Sequence, residues 1–265
     1  MTESRPGDES RPGLIRPGDQ RYLAGRVAVV TGSSRNIGRA IALELADAGA
    51  AVMVNARTSA AEAEAVAAEI RQAGGRAAVA IADVADPRAA AALIAAAVES
   101  FGRLDILVNN AAVRREIEFA ELEYSEWREI VSIILDGAYL CSHAALPHLI
   151  ASGRGAVVNI SGVSAFTGGA GRAHVVAAKA GVAGLTRALA HDLAPHRITV
   201  NCVVPGFIDT ERAGGVPARH AAAKPLTGRL GRPQEIAALV RFLCGPDARY
   251  ITGQSLHANG GVFMA

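Results

Sequence analysis

Lysine is almost missing from this chain of 265 residues: of 27 basic side chains only Lys179 and Lys224 are ammonium groups, and the rest are arginine. Chemistry that needs an ammonium therefore has two candidates. Cysteine is scarce too. Cys141, Cys202 and Cys244 are odd in number and far apart, which excludes a disulfide framework and a CxxC metal site, so they read as buried thiols and no metal is expected. A formal net charge of +2 over 27 basic and 25 acidic residues leaves no polybasic field for nucleic acid or an anionic membrane, while a small anionic ligand stays compatible. No uninterrupted apolar run reaches the ~18 residues of a membrane span, and the N-terminal segment lacks a secretory h-region. The chain reads as cytoplasmic. What it has in quantity is apolar material, 51% of residues, enough for one large α/β domain or two small ones.

Residues 1–21 carry the near-repeat SRPGDE, SRPGLI, IRPGDQ, whose Pro-Gly steps break helix and strand, and this segment is expected to be a disordered tail. From residue 22 onward, short apolar runs alternate with Ala-rich helical stretches: Val27–Val30 then Gly38–Ala48, Ala51–Val54 then Ala60–Ala73, Ala77–Ile81 then Pro87–Phe101, followed by Ile106–Val108. Strands that are apolar on both faces and separated by helices predict an α/β, doubly wound parallel sheet in a single domain, residues 22–265. Further along, the pattern predicts one long helix over 125–148, a strand at 156–160, a helix over 172–193 and a strand at 198–203. The Gly- and Pro-rich stretch at about 206–230 predicts a lid, ahead of a helix from Pro233 and a last strand around 255–257.

Thr31-Gly32-Ser33-Ser34-Arg35-Asn36-Ile37-Gly38 lies at the first strand-to-helix junction, where a glycine turn and the helix N-terminus suit a pyrophosphate. Gly32, Ser34, Arg35, Asn36, Ile37 and Gly38 are therefore expected at the cofactor. Asn36 stands where a middle glycine is usual, and asparagine tolerates the left-handed conformation. Strand two ends in Asn55-Ala56-Arg57 with no acid for the adenosine ribose, so Arg57 and Arg35 point to a 2′-phosphate and to NADP(H). Solvated surface arginines are the plainer alternative. Asp83 and Val84 after strand three, and Asn110 and Ala111 after strand four, fall on the same carboxyl edge, where ligands bind.

These motifs, with Asn109-Asn110-Ala111-Ala112, Lys179-Ala180-Gly181, Pro205-Gly206 with Thr210, Thr252-Gly253-Gln254 and Gly260-Gly261, resemble the short-chain dehydrogenase/reductase family from Gly25 to Phe263. The resemblance implies a single Rossmann domain, a homodimer or homotetramer built on two long helices, hydride transfer on a small molecule, and cofactor contacts from Lys179, Pro205, Gly206, Ile208 and Thr210. It also implies an Asn-Ser-Tyr-Lys catalytic set, and there the chain departs. Lys179 matches the lysine of YxxxK, but the tyrosine slot is Val175, the serine slot is Gly162 and the asparagine slot is Ile134. Valine, glycine and isoleucine cannot donate a proton to an alkoxide. The chain's four tyrosines, Tyr22, Tyr124, Tyr139 and Tyr250, all lie off the helix of Lys179.

Substitute donors are few. His174 has a suitable intrinsic pKa, yet five residues before Lys179 it is offset by roughly 140° on a helix, against roughly 40° for residue 175. Ser161 and Ser164 flank the serine slot, as donors or as caps of the strand end. Asp136, inside the apolar run Ile133-Ile134-Leu135-Asp136-Gly137, has a raised pKa if buried and none if it faces solvent. Arg114 and Arg115 follow the NNAA turn and suit a carboxylate or phenolate, or form a solvated pair; Val175 would then border the substrate. Three functions remain: an NADP(H)-dependent reductase whose substrate needs little acid help, a non-redox cyclase, isomerase or dehydratase, and a non-catalytic nucleotide-binding subunit.

Overall fold

The computed structural model describes residues 21–210 and 225–264. Residues 1–20 of the expected tail and 211–224 of the expected lid lie outside them. Among the described residues, seven strands form one parallel sheet in the order β3-β2-β1-β4-β5-β6-β7: β1 Val27–Val30, β2 Ala51–Ala56, β3 Arg76–Ile81, β4 Ile106–Asn109, β5 Ala156–Ile160, β6 Thr199–Pro205 and β7 Ser255–Ala258. Every residue of β1, β2, β4, β5 and β6 is buried, as strands covered on both faces must be, whereas edge strand β3 is partly exposed.

Helices α1 (Asn36–Asp47), α2 (Ala60–Gln72) and α8 (Pro233–Cys244) bury Ile41, Leu45, Ile70 and Val240 against one face. Helices α3 (Pro87–Phe101), α5 (Gly137–Ser152) and α7 (Ala173–Leu193) bury Leu93, Ile94, Leu149 and Leu193 against the other. The doubly wound single domain is as the alternating pattern predicts. Helix α3 shows the local logic: Asp86 caps it by accepting from the Ala89 N–H at 2.8 Å, Pro87 sits at its first turn, and Gly102 ends it in the left-handed region. The winding direction reverses between β1 and β4, and their carboxyl ends open the crevice that holds the site.

The long helix expected over 125–148 is instead two α-helices, α4 (Tyr124–Val131) and α5, joined by a π turn at Ser132–Asp136. A π turn inserts one extra residue and rotates the helix beyond it. The rotation brings Gly137 onto the sheet edge, where an added Cβ would lie 2.8 Å from Val84 Cγ2. By length and composition Tyr124–Ser152 is apolar enough to cross a membrane, but half of its most apolar window is packed inside the molecule. A short helix α6 (Ser164–Thr167) also follows β5. All three cysteines are buried free thiols, and burial pushes Cys141 and Cys244 up to about 12.

Candidate active site

The phosphate loop is built by close backbone approach. Gly38 lies in the first turn of its helix, so near the loop that a Cβ would sit 2.2 Å from Gly32 O and 2.6 Å from Asn110 Nδ2. Asn36 takes a positive φ of 52°, the left-handed conformation that asparagine tolerates. Asn55, expected at the cofactor, borders the cleft but spends its buried amide on the scaffold: its oxygen accepts from the Gly32 N–H at 3.1 Å and its nitrogen donates to Ala80 O and Ala82 O, each at 3.1 Å. Asn110 does similar work, donating to Thr31 O and Gly32 O at 2.9 Å. The Thr31 hydroxyl, which the motif reading missed, accepts from the Asn110 and Ala111 N–H groups at 2.9 and 3.0 Å. The two asparagines and the threonine hold a turn whose N–H groups and helix dipole suit a pyrophosphate.

A cleft of about 630 Å³ runs from this loop across the carboxyl edge. Gly32, Ser34, Arg35, Asn36, Ile37, Gly38, Asn55, Arg57, Asp83, Val84, Asn110, Ala111 and Thr210 all line it. Pro205, Gly206 and Ile208 do not. Pro205 closes β6, the Gly206 N–H donates to Ala258 O at 3.1 Å, and buried Ile208 bridges to Gly231, so this segment is tied to the scaffold. The Asp83 carboxylate accepts from the Ala85 N–H at 3.0 Å, fixing the turn after β3. Arg57 is half exposed and lies 3.7 Å from Glu129. Arg35 and Arg57 with no acid at the end of β2 fit a phosphorylated adenosine ribose, and the tight loop fits the pyrophosphate, so the residues present fit NADP(H).

Lys179 is buried beside this cleft. Its Nζ donates to Ile160 O at 2.5 Å, next to a small cavity that shares Val84, Ala111 and Ile133 with the cleft. Burial pulls the ammonium down to about 7, with the nearby Arg114 and Arg172 adding to the effect. The same cavity is bordered by Asn109, whose amide nitrogen donates to Asn159 Oδ1 at 2.8 Å and Ser142 Oγ at 3.0 Å, and Asn159 passes the chain on to Thr186 at 2.9 Å. Of that buried polar chain, sequence motifs mark only the first member.

The substitute donors are placed elsewhere. Asp136 is not buried: its carboxylate faces outward and pairs with Arg128 at 3.2 Å, because the π turn rotates it off the apolar side. His174 is fully buried away from the cleft lining, neither ring nitrogen has a hydrogen-bond partner among the described residues, and burial lowers its pKa. The Ser161 hydroxyl donates to Lys179 O at 2.8 Å, and Ser164 is buried as the first residue of α6. Val175 does not border the cleft; it packs in an apolar cluster with Ile130, Ile134, Val182 and Val204. Gly162 has open space among the described residues where a Cβ would stand. Of the two arginines after NNAA, both line the cleft, but Arg115 is held by Glu126 and, at 2.5 Å, by Glu129. Arg114 is joined there by Arg172, a residue that reading the sequence as a helix boundary overlooked.

A parallel sheet with its crevice at the β1/β4 switch, a phosphate loop and a buried lysine beside it define a Rossmann-type nucleotide-dependent oxidoreductase scaffold. The family model described as enoyl-(acyl carrier protein) reductase matches residues 32–263. The chain is 39% identical over 243 residues to a 3-oxoacyl-[acyl-carrier-protein] reductase of Synechocystis, covering 91% of this chain and 98% of that protein. It is 42% identical over 245 residues to the short-chain reductase protein NovJ of Streptomyces niveus, covering 89% and 93%. Among solved structures, a dehydrogenase/reductase of Sinorhizobium meliloti superposes with a TM-score of 0.88 at 38% identity, covering 93% of this chain and 98% of that one. A short-chain dehydrogenase of Burkholderia cenocepacia in complex with NADP gives 0.86 at 38% identity, covering 91% and 99%. The chain belongs to the short-chain dehydrogenase/reductase family.

Proposed function

We propose that the protein is an NADP(H)-dependent reductase acting on a small molecule that needs no tyrosine proton donor. One observation carries the reading: the cofactor cleft keeps its phosphate loop and its arginines, while the proton-donor corner is built of hydrocarbon around Val175. When bound, NADPH supplies a hydride. The chain's own residues do the rest. The turn from Ser34 to Gly38 receives the pyrophosphate, Arg35 and Arg57 receive the 2′-phosphate, and Asp83 stands at the adenine edge. Lys179, next to the cleft and lowered toward neutrality by burial, is positioned to hold the nicotinamide ribose. The reading includes a cytoplasmic homodimer or homotetramer.

The packing of Val175 also favours a second reading, in which the nucleotide is structural and the chain is either a non-redox catalyst or a non-catalytic subunit. One experiment separates them: incubation with NADPH and candidate substrates, following nicotinamide absorbance together with product mass. Oxidation of the nicotinamide with a gain of two hydrogens in product supports the reductase. A mass-neutral product, or none, supports the second reading.

A further inference from the structure

Two of the arginines that line the cleft share one carboxylate. Arg57, just past the end of β2, reaches Glu129 through a single Nη1–Oε1 contact of 3.7 Å. Arg115, on the segment that follows β4, grips both oxygens of the same group, Nη1 donating to Oε2 at 2.5 Å and Nη2 to Oε1 at 3.2 Å. Arg115 Nη1 is bonded to Glu126 as well, so charges alternate along Arg57, Glu129, Arg115 and Glu126. Glu129 belongs to α4 and is not itself a cleft-lining residue; it reaches the cleft through the two arginines it holds. The Arg115 guanidinium keeps the Glu129 carboxyl below its usual range, with Arg57 a smaller contributor, so Glu129 is charged at neutral pH. The row is lopsided. When Arg57 leaves, Glu129 keeps a two-pronged partner, so no carboxylate is stranded.

Resting on the NADP(H) reading, we propose that Glu129 is a specificity-determining residue that acts through Arg57: its carboxylate holds the guanidinium, and the 2′-phosphate of the nucleotide must displace it. The exchange favours the phosphate, which brings a charge of about −1.5 to −2 and three acceptor oxygens against one charge and an oxygen already shared with Arg115. NADH has no group to make the exchange, so Glu129 lowers affinity for the phosphorylated nucleotide alone. The geometry sets the sign. A single 3.7 Å contact fixes little of the guanidinium's orientation, so it does not aim Arg57 at a ligand; it only occupies the cation. Both side chains are partly exposed, which limits the hold to a factor of a few in affinity. Arg115 is then what keeps the hold loose, because its fork draws the carboxylate away from Arg57.

Isothermal titration of adenosine 2′,5′-bisphosphate and of 5′-AMP, which differ only in the 2′-phosphate, reads the site without hydride chemistry, and the ratio of the two affinities is the quantity followed. Glu129→Gln, isosteric and uncharged, should raise the preference for the bisphosphate about threefold, the scale of an exposed ion pair, and added salt should shrink that change. In an Arg57→Ala background the same substitution should leave the ratio unchanged, since the carboxylate acts through Arg57. Arg115→Gln should move the ratio the other way, down about twofold, because the released carboxylate turns to Arg57, and adding Glu129→Gln should abolish the fall. This opposite sign keeps the proposal readable even where Glu129→Gln fails to fold. A ratio unmoved or lowered by Glu129→Gln, or a rise that persists without Arg57, would overturn the role given to Glu129. A parent protein that binds both probes equally would overturn instead the 2′-phosphate reading on which that role rests.

Discussion

The proposed reading gives Arg57 a share in cofactor choice, and its replacement by alanine gives a quantity that the structure bounds. A charge-assisted hydrogen bond to phosphate is worth about 1.5–3 kcal/mol when desolvated. Here the Arg57 side chain is 47% exposed and Glu129 stands 3.7 Å away, so solvent screening and a competing carboxylate cut the gain to about 1–2 kcal/mol. Arg57→Ala should therefore weaken NADPH about 5- to 30-fold and leave NADH nearly untouched. Fluorescence titration of both reduced nucleotides into parent and variant reads this directly, and repeating it at higher salt should shrink the difference because the pair is exposed. Equal losses for the two nucleotides would show that Arg57 acts on the fold rather than on the phosphate. A parent protein that prefers NADH would refute the reasoning outright.

Gly38→Ala places a Cβ 2.2 Å from Gly32 O, so the phosphate loop must move; we expect a stability loss of about 1–3 kcal/mol in thermal unfolding together with loss of NADPH binding, and unchanged affinity would refute the tight-loop account. Gly162→Ser enters open space and should be neutral, whereas Val175→Tyr drives a phenol into a closed apolar cluster and should cost about 1–3 kcal/mol; robust 1-tetralone reduction by the double variant would show that the corner is less closed than its packing indicates. Lys179 is held near 7 in the fold against an ordinary value of 10.5. Below pH 7 both folded and unfolded chains carry the proton and the fold bears the cost of a buried charge, while between the two values the unfolded chain binds more protons and stability rises with pH, by up to about 1.4 kcal/mol per unit. Lys179→Met should accordingly gain most over the parent at pH 6 in urea unfolding, with that advantage shrinking steadily as pH rises above 7; a pH-independent difference would contradict the depressed ammonium.

The scaffold was legible because burial on both faces leaves a plain trace: runs such as Val27–Val30 and Ile106–Val108 are too short for helices and too apolar for exposed strands. The π turn was not legible. Ser132–Asp136 lies within an apolar helical run, and the extra residue accompanies the close approach of Gly137 to Val84, a contact 53 positions apart in sequence that no periodicity encodes. The apolar run around Asp136 leaves its facing open between burial and solvent, and the structure turns its carboxylate outward beside Arg128.

Motif spacing located the cleft but could not say which lining side chains have spare hydrogen-bonding capacity. Asn55 and Asn110 look alike as candidate ligands, yet both are consumed in holding the loop, whose backbone these amides fix at the cleft. Spacing likewise exposed the empty tyrosine, serine and asparagine slots without showing what fills their volume. Had Val175 bordered the cleft, a shifted donor such as His174 or Ser161 would have had a route in. Instead Val175 is sealed among Ile130, Ile134 and Val182, Ser161 is bonded to Lys179 O, and His174 is buried beyond the cleft lining.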